Sequence, residues 1–211
     1  MSLRLPDSGA ETLPDGRRMV PSAQRNAAAI LQVLQAHAPA TGRTLEIASG
    51  SGLHAALFAA ALPGLIWQTT DLDRANFASI RAWAAASAGN ILPPVPLDAT
   101  QAGWSADWPA QDAVLLVNLL HLIPPTAAAT LLDELAQVLA PGGTAFLYGP
   151  FLRDGAPTSD GDAAFDASLR AQNPAIGYKD LAWVTGILTS LGLQVQTQAM
   201  PANNLMLIVR R

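Results

Sequence analysis

Between Thr44 and Ala60 the chain reads TLEIASGSGLHAALFAA: an apolar run, a turn with two glycines, and an alanine-rich run. A short buried strand that passes through glycines into a helix is half of a βαβ unit, so a parallel sheet must be built around it. The flanking segments agree. LIWQTTDLD reads as a second strand, PPVPLDAT as a short third ending near Asp98, DAVLLVNLLH as a fourth and TAFLYGPF as a fifth. The fourth is apolar at nearly every position, as a strand covered on both faces has to be. Helical runs separate them: PSAQRNAAAILQVLQAHA before the first strand, ANFASIRAWAAAS after the second, TAAATLLDELAQVLA after the fourth. Ser22 stands where a side-chain cap for the first helix is expected. The right-handed crossover rule puts helices on both faces. The tail breaks the alternation, because LQVQTQAM and LMLIVRR, joined by PANN, form two strands with a tight connection. The predicted architecture is α/β: a doubly wound, mostly parallel, seven-stranded sheet with a C-terminal antiparallel strand pair.

A length of 211 residues suits one domain, expected over 1–211, with a polar lead-in over about 1–20. Residues 152–180 are too long and polar for a simple connection and are expected to form an insertion or lid. Half of the residues are hydrophobic and 13% are charged, the pattern of a chain that folds. No run reaches the roughly 18 apolar residues of a membrane span, and the first residues carry no signal-peptide core. The expectation is a cytoplasmic protein without a membrane partner. With no cysteine and three histidines, neither a thiol nucleophile nor a metal-ligand constellation is present in the sequence. A net charge of −4 argues against bulk nucleic-acid binding and favours a small-molecule partner; nothing specifies an oligomeric state.

The glycine turn points to an adenosine-containing ligand. Gly50, Gly52 and Ala55 fit G-x-G-x-x-A, and Asp71 follows at the distance where an acid accepts from ribose hydroxyls. The turn alone fits both NAD and S-adenosylmethionine. Three features favour the second. Glu46, inside the strand, suits an ammonium and a sulfonium better than a pyrophosphate; Asp98 can accept from an adenine amino group; and LAPGGTAFLY followed by an antiparallel pair is a layout seldom found in dehydrogenases. An NAD-linked oxidoreductase and a non-catalytic cofactor-binding protein remain the alternatives.

These segments resemble the class I S-adenosylmethionine-dependent methyltransferases over most of the chain. LEIASGSG resembles their first motif, E/D-x-G-x-G-x-G, with Glu46, Gly50 and Gly52 matching and Ala48 replacing the first glycine. Asp71 matches the ribose-binding acid, Asp98 the adenine-side acid, and DAVLLVNLLH the strand beside the transferred methyl. More narrowly, PSAQRN, LEIASGSGLHAALFA, WQTTD, VNLLHLIP, YGPF, FDASLR and MPANN resemble a methyltransferase-like family known as a domain of unknown function. The resemblance implies S-adenosyl-L-methionine as cofactor and methyl transfer to an acceptor it does not name. It implies cofactor contacts from Glu46, Ala48, Ser49, Gly50, Ser51, Gly52, Asp71, Leu72, Asp98, Ala99 and Asn118, and from Arg25 and Asn26 of PSAQRN.

Acceptor-side candidates follow from position. Asn118 and His121 end the fourth strand, where ligands bind in open α/β sheets, and His121 is the candidate general base because its reference pKa is near neutral. Tyr148 and Phe151 end the fifth strand and can wall a pocket. His54 opens the helix after the glycines, and Arg170 lies with Phe165 and Asp166 in the insertion. The competing readings are plain ones: a packed histidine for His121, a helix-surface residue for His54, core aromatics for Tyr148 and Phe151, a turn or cap for Asp98. The five tryptophans read as packing, and Asn203 and Asn204 as turn residues.

Overall fold

A computed structural model describes residues 9–87 and 89–211; residues 1–8 of the expected lead-in lie outside the described residues. The elements in chain order are β1 (Glu11–Thr12), β2 (Arg18–Met19), α1 (Pro21–His37), β3 (Gly42–Ile47), α2 (Leu53–Ala61), β4 (Leu65–Asp71), α3 (Phe77–Ala85), β5 (Ile91–Pro96) and β6 (Gln111–Val117). They continue with α4 (Pro125–Val138), β7 (Leu139–Gly149), β8 (Phe151–Leu152), α5 (Asp160–Gln172), β9 (Lys179–Asp180), α6 (Leu181–Ser190), β10 (Gln194–Ala199) and β11 (Leu205–Arg210). The main sheet has seven strands in the order β10-β11-β7-β6-β3-β4-β5. β11 runs antiparallel to both neighbours, β7 and β10, and the pairs from β7 to β5 are parallel. The expected seven strands and the C-terminal antiparallel pair are therefore present.

Period-two alternation splits the sheet's side chains between two cores. Leu45, Ile47, Val114, Leu116, Leu147 and Leu207 meet Leu131, Leu135, Val184 and Leu188 of α4 and α6. On the other face Trp67, Leu115, Phe146, Met206 and Ile208 meet Ile30, Val33, Leu34 and Phe58 of α1 and α2. Because Leu45 and Ile47 face α4 and α6, Glu46 between them is turned to the α1–α2 face. Among the described residues no helix is long and apolar enough to cross a membrane.

One local expectation changes. Pro21, not Ser22, sets the start of α1: Val20 occupies the cap position without a side-chain bond, and Pro21 takes a first-turn position. Proline has no amide to leave unpaired there, and its fixed φ suits the first turn. Residues 152–180, expected as an insertion or lid, carry secondary structure of their own. β8 and β9 pair in parallel and tie the segment's ends together, while Ser159 caps α5 by accepting from the Asp162 amide. That closure holds α5 beside the carboxyl ends of β6 and β7.

Gly52 is required by close approach. Its φ is +86°, and a Cβ there would lie 2.8 Å from Ile80 Cα on α3. Gly52→Ala is expected to destabilise the protein by about 2–4 kcal/mol, from the left-handed backbone together with the overpacking. Urea denaturation of the variant measures it.

Candidate functional site

β3 lies between β6 and β4, and the chain leaves β3 through α2 on one face of the sheet and leaves β6 through α4 on the other. A crevice opens at the carboxyl ends of strands at such a switch point. The glycine turn fills it and is pinned from several sides. Ser49 N–H donates to Thr70 O at 2.7 Å, Gly52 N–H to Ser49 O at 3.0 Å, and Ser79 Oγ to Ser51 O at 2.6 Å. Asp71 accepts the Gly50 amide on Oδ2 and the Asp73 amide on Oδ1, each at 2.8 Å. Ala48 and Asn118, at the ends of adjacent parallel strands, hold φ values of 56° and 57°. Alanine thus occupies a left-handed position where the matching methyltransferase motif has glycine, a conformation costing a non-glycine residue about 1–2 kcal/mol.

Glu46 is 2% exposed, and the Trp67 indole donates to its Oε2 at 2.9 Å. Burial pushes its pKa up to about 7; the bonds from Trp67 and Ser49 pull the other way, and the nearby Asp71 charge adds to the rise. A buried carboxyl beside a second carboxylate favours a cation as its neighbour. The turn has room for a ligand, since a Cβ built on Gly50 would meet nothing within 4 Å. Beyond Asp71, Leu72 is 65% exposed, an apolar surface next to a hydrogen-bonding acid. An ammonium group, ribose hydroxyls and the flat face of a base match these residues in that order, so they fit an S-adenosylmethionine-type cofactor.

Asp98 lies just past β5 and accepts from Thr100 N at 3.0 Å, from Thr100 Oγ1 at 2.5 Å and from Gln101 Nε2 at 3.3 Å. Burial raises its pKa, and the Thr100 and Gln101 bonds outweigh that and leave it lowered. The turn-forming reading of Asp98 therefore describes its contacts. Ala99 is buried, with its carbonyl accepting from the Trp104 indole at 3.2 Å.

At the carboxyl ends of β6 and β7 lies a cleft of about 660 Å³, within the range of small-molecule sites, lined by none of the glycine-turn residues. Asn118, His121 and Tyr148 line it, together with Arg25 and Asn26 of α1, Arg18 of β2, Phe165 of α5 and Tyr178. His121 is buried, and Phe165 and Tyr178 meet its ring edge-on at centroid distances of 5.7 and 6.0 Å. Burial lowers its pKa to about 4, with Lys179 adding to the fall and Asp166 opposing it. The imidazole is therefore neutral at pH 7, with a pKa well below the near-neutral value of an unperturbed histidine. The segment around it is clipped in place: Gly177 N–H donates to His121 O at 3.1 Å, Lys179 Nζ to Gly177 O at 2.7 Å, and Tyr178 N–H to Asp166 Oδ1 at 2.6 Å.

Three acceptor-side candidates lie off the cleft. His54 is buried and stacked on Phe58, with its Nε2 at 3.1 Å from Ala23 O and 2.8 Å from Asn26 Oδ1. Phe151 is 3% exposed in the core under α4 and α6, because the alternation of β8 turns it inward. Arg170 pairs with Asp166 at 2.8 Å and reaches Tyr178 O at 3.4 Å, so it braces α5 instead of facing a ligand. Sequence reasoning missed Trp67 as the partner of Glu46, and missed Arg18, Asp162, Tyr178 and Lys179. The Trp67 pairing had a signal: Thr44 pairs with Trp67 across parallel strands, so Trp67 and Glu46 share a face.

A seven-stranded sheet with this order, one reversed strand and a glycine turn at the switch point is a Rossmann-like methyltransferase fold. The chain belongs to the family described as protein of unknown function DUF938, whose model matches residues 17–211. Solved structures agree on the fold. An O-methyltransferase family protein from Burkholderia thailandensis superposes with a TM-score of 0.76 at 19% identity, over 90% of this chain and 56% of its own. An O-methyltransferase family 2 protein from Planctomyces limnophilus in complex with apigenin gives 0.77 at 18% identity, over 90% of this chain and 58% of its own. Human N-acetylserotonin methyltransferase in complex with SAM gives 0.67 at 15% identity, again over 90% and 58%. The chain thus spans little more than half the length of each.

Proposed function

We propose that the protein transfers a methyl group from S-adenosylmethionine to a small-molecule acceptor held in the cleft. The observation that carries this reading is the buried Glu46 carboxyl at the base of an open glycine turn, on the same sheet edge as the cleft. The fold shared with methyltransferases, one of them in complex with SAM, supports it.

When bound, the cofactor supplies a methyl carbon activated by a sulfonium. Glu46 would take the cofactor's ammonium. A carboxylate has about four lone-pair sites, so Asp71 can hold the Gly50 and Asp73 amides and still accept from ribose hydroxyls. Leu72 would cover the base. On the acceptor side, Asn118 and Tyr148 orient the substrate, and His121 accepts the proton that the attacking atom gives up. Phe165 and Tyr178 keep water from its ring. Most of the protein's work is positioning, with reacting atoms held about 3–3.5 Å apart.

Titration calorimetry with S-adenosylhomocysteine and with NAD tests the reading. The thioether is expected to bind and NAD to remain inert. Asp71→Ala is expected to weaken binding about 10–100-fold, because it removes an acceptor for the ligand and the brace on Gly50 together. Preference for NAD would overturn the assignment.

A further inference from the structure

β7 ends at Gly149, and nothing in the backbone accounts for a glycine there. Its φ lies outside the left-handed region, so the conformation is open to any residue. The following Pro150 favours extended backbone at position 149, which alanine adopts as readily. Its neighbours do not crowd it either. A Cβ built on Gly149 would meet nothing nearer than 3.6 Å, an ordinary van der Waals contact, whereas one on Gly52 would strike the α3 backbone. Gly149 is buried and pairs with Leu205 of β11 in a continuous register. A glycine at such a position weakens the strand relative to alanine. Where no turn, bulge or approaching backbone explains a strand glycine, a ligand that comes close does.

The atoms around the missing side chain point the same way. The three nearest to a Cβ would be Asn118 Oδ1 at 3.6 Å, and Asn118 Cα and His121 Nδ1 at 3.9 Å each. Asn118 and His121 line the cleft, as do Tyr148 and Pro150 on either side of Gly149. Asn118 Oδ1 can only accept a hydrogen bond, and a neutral imidazole nitrogen accepts in one of its two tautomers. The missing methyl therefore leaves room for a ligand atom that would face both side chains from one position. A group with a proton to give belongs there. The rings of His121, Phe165 and Tyr178, edge-on at 5.7–6.0 Å, line the same cleft and suit a flat apolar body behind that group.

We propose that Gly149 is a specificity-determining residue: the methyl-sized space it leaves seats the proton-bearing group of a flat acceptor, within reach of Asn118 Oδ1 and His121 Nδ1. Calling the ligand an acceptor rests on the methyltransferase reading; the seat itself does not need it. A methyl at position 149 fills the seat and leaves the sheet and the glycine turn as they are.

The test is a ligand-observed NMR titration of phenol and anisole at pH 7, on the full chain with and without S-adenosylhomocysteine, comparing the wild type with Gly149→Ala. The two probes share a ring, and only phenol has a proton to give. The wild type is expected to bind phenol about fivefold more tightly than anisole. Gly149→Ala is expected to melt no lower than the wild type and to bind S-adenosylhomocysteine as tightly. It should weaken phenol about fivefold and anisole hardly at all, so that the preference disappears. A variant that fails to fold or melts lower would show that the strand itself needs the glycine, and would overturn the proposal. Phenol binding unchanged in the variant, equal losses of both probes, or a wild type that binds neither would overturn it too. Failure of S-adenosylhomocysteine to bind, with the phenol pattern intact on ligand-free protein, would sink the methyltransferase reading and leave the seat standing.

Discussion

Replacing His121 by alanine is expected to slow methyl transfer by about 10²-fold, the low end of what a positioned general base contributes, because a pKa of about 4 makes the imidazole a weak base at neutral pH. The imidazole lines the cleft, and its one unprotonated ring nitrogen is the atom that would take the acceptor's proton. Its environment also sets the pH profile. Burial and the nearby Lys179 hold its pKa at about 4, so the base form persists through the neutral range. The rate should be flat from about pH 6 to 8 on account of His121 and fall only as the pH approaches about 4. An unperturbed histidine would lose activity near 6.5 instead. The measurement is S-adenosylhomocysteine formed from S-adenosylmethionine over a panel of aromatic acids and phenols. A variant as active as the wild type would remove His121 from the chemistry.

Glu46→Gln should have opposite effects on ligand affinity and on stability. The glutamine keeps the shape and an acceptor for the Trp67 indole, but loses the charge that an ammonium would meet. Removing one partner from a buried, hydrogen-bonded charge pair costs about 2–5 kcal/mol, so S-adenosylhomocysteine should bind about 30-fold or more weakly. The ligand-free protein should respond the other way. The folded-state pKa of Glu46 is raised from 4.5 to about 7, so its contribution is fully present below 4.5 and is lost as the pH rises through 7. At pH 8 the wild type therefore carries a buried charge that glutamine lacks. The variant should be more stable there by about 2–3 kcal/mol, and the gain should shrink toward pH 5. Thermal melts across that range measure it, and a variant less stable at pH 8 would show that the carboxylate is already compensated.

The sheet was legible because each strand announced itself locally. DAVLLVNLLH is apolar on both faces, and the two tail strands are separated by a turn too short for a crossover. The glycine turn was legible for the same reason, since its residues are consecutive. The acceptor side was not, because it is assembled from distant segments. Tyr178 and Lys179 reach His121 only because β8 and β9 pair and carry α5 back over the cleft. His54 is where helical periodicity puts it, in the first turn of α2, but its partners belong to α1, and helix packing decides that contact. The bond from Trp67 to Glu46 depends on the register of β3 against β4, which neither strand specifies alone.

The central claim is that the glycine turn holds an S-adenosyl ligand whose ammonium meets Glu46. It is tested most directly by calorimetry with S-adenosylhomocysteine at pH 7 in two buffers of different ionisation enthalpy. A carboxyl with a pKa of about 7 is partly protonated at that pH, and a cation beside it lowers its pKa. Binding should therefore release a fraction of a proton, and Glu46→Gln should abolish the release. Binding without proton release would contradict the contact to Glu46, and no binding at all would contradict the site.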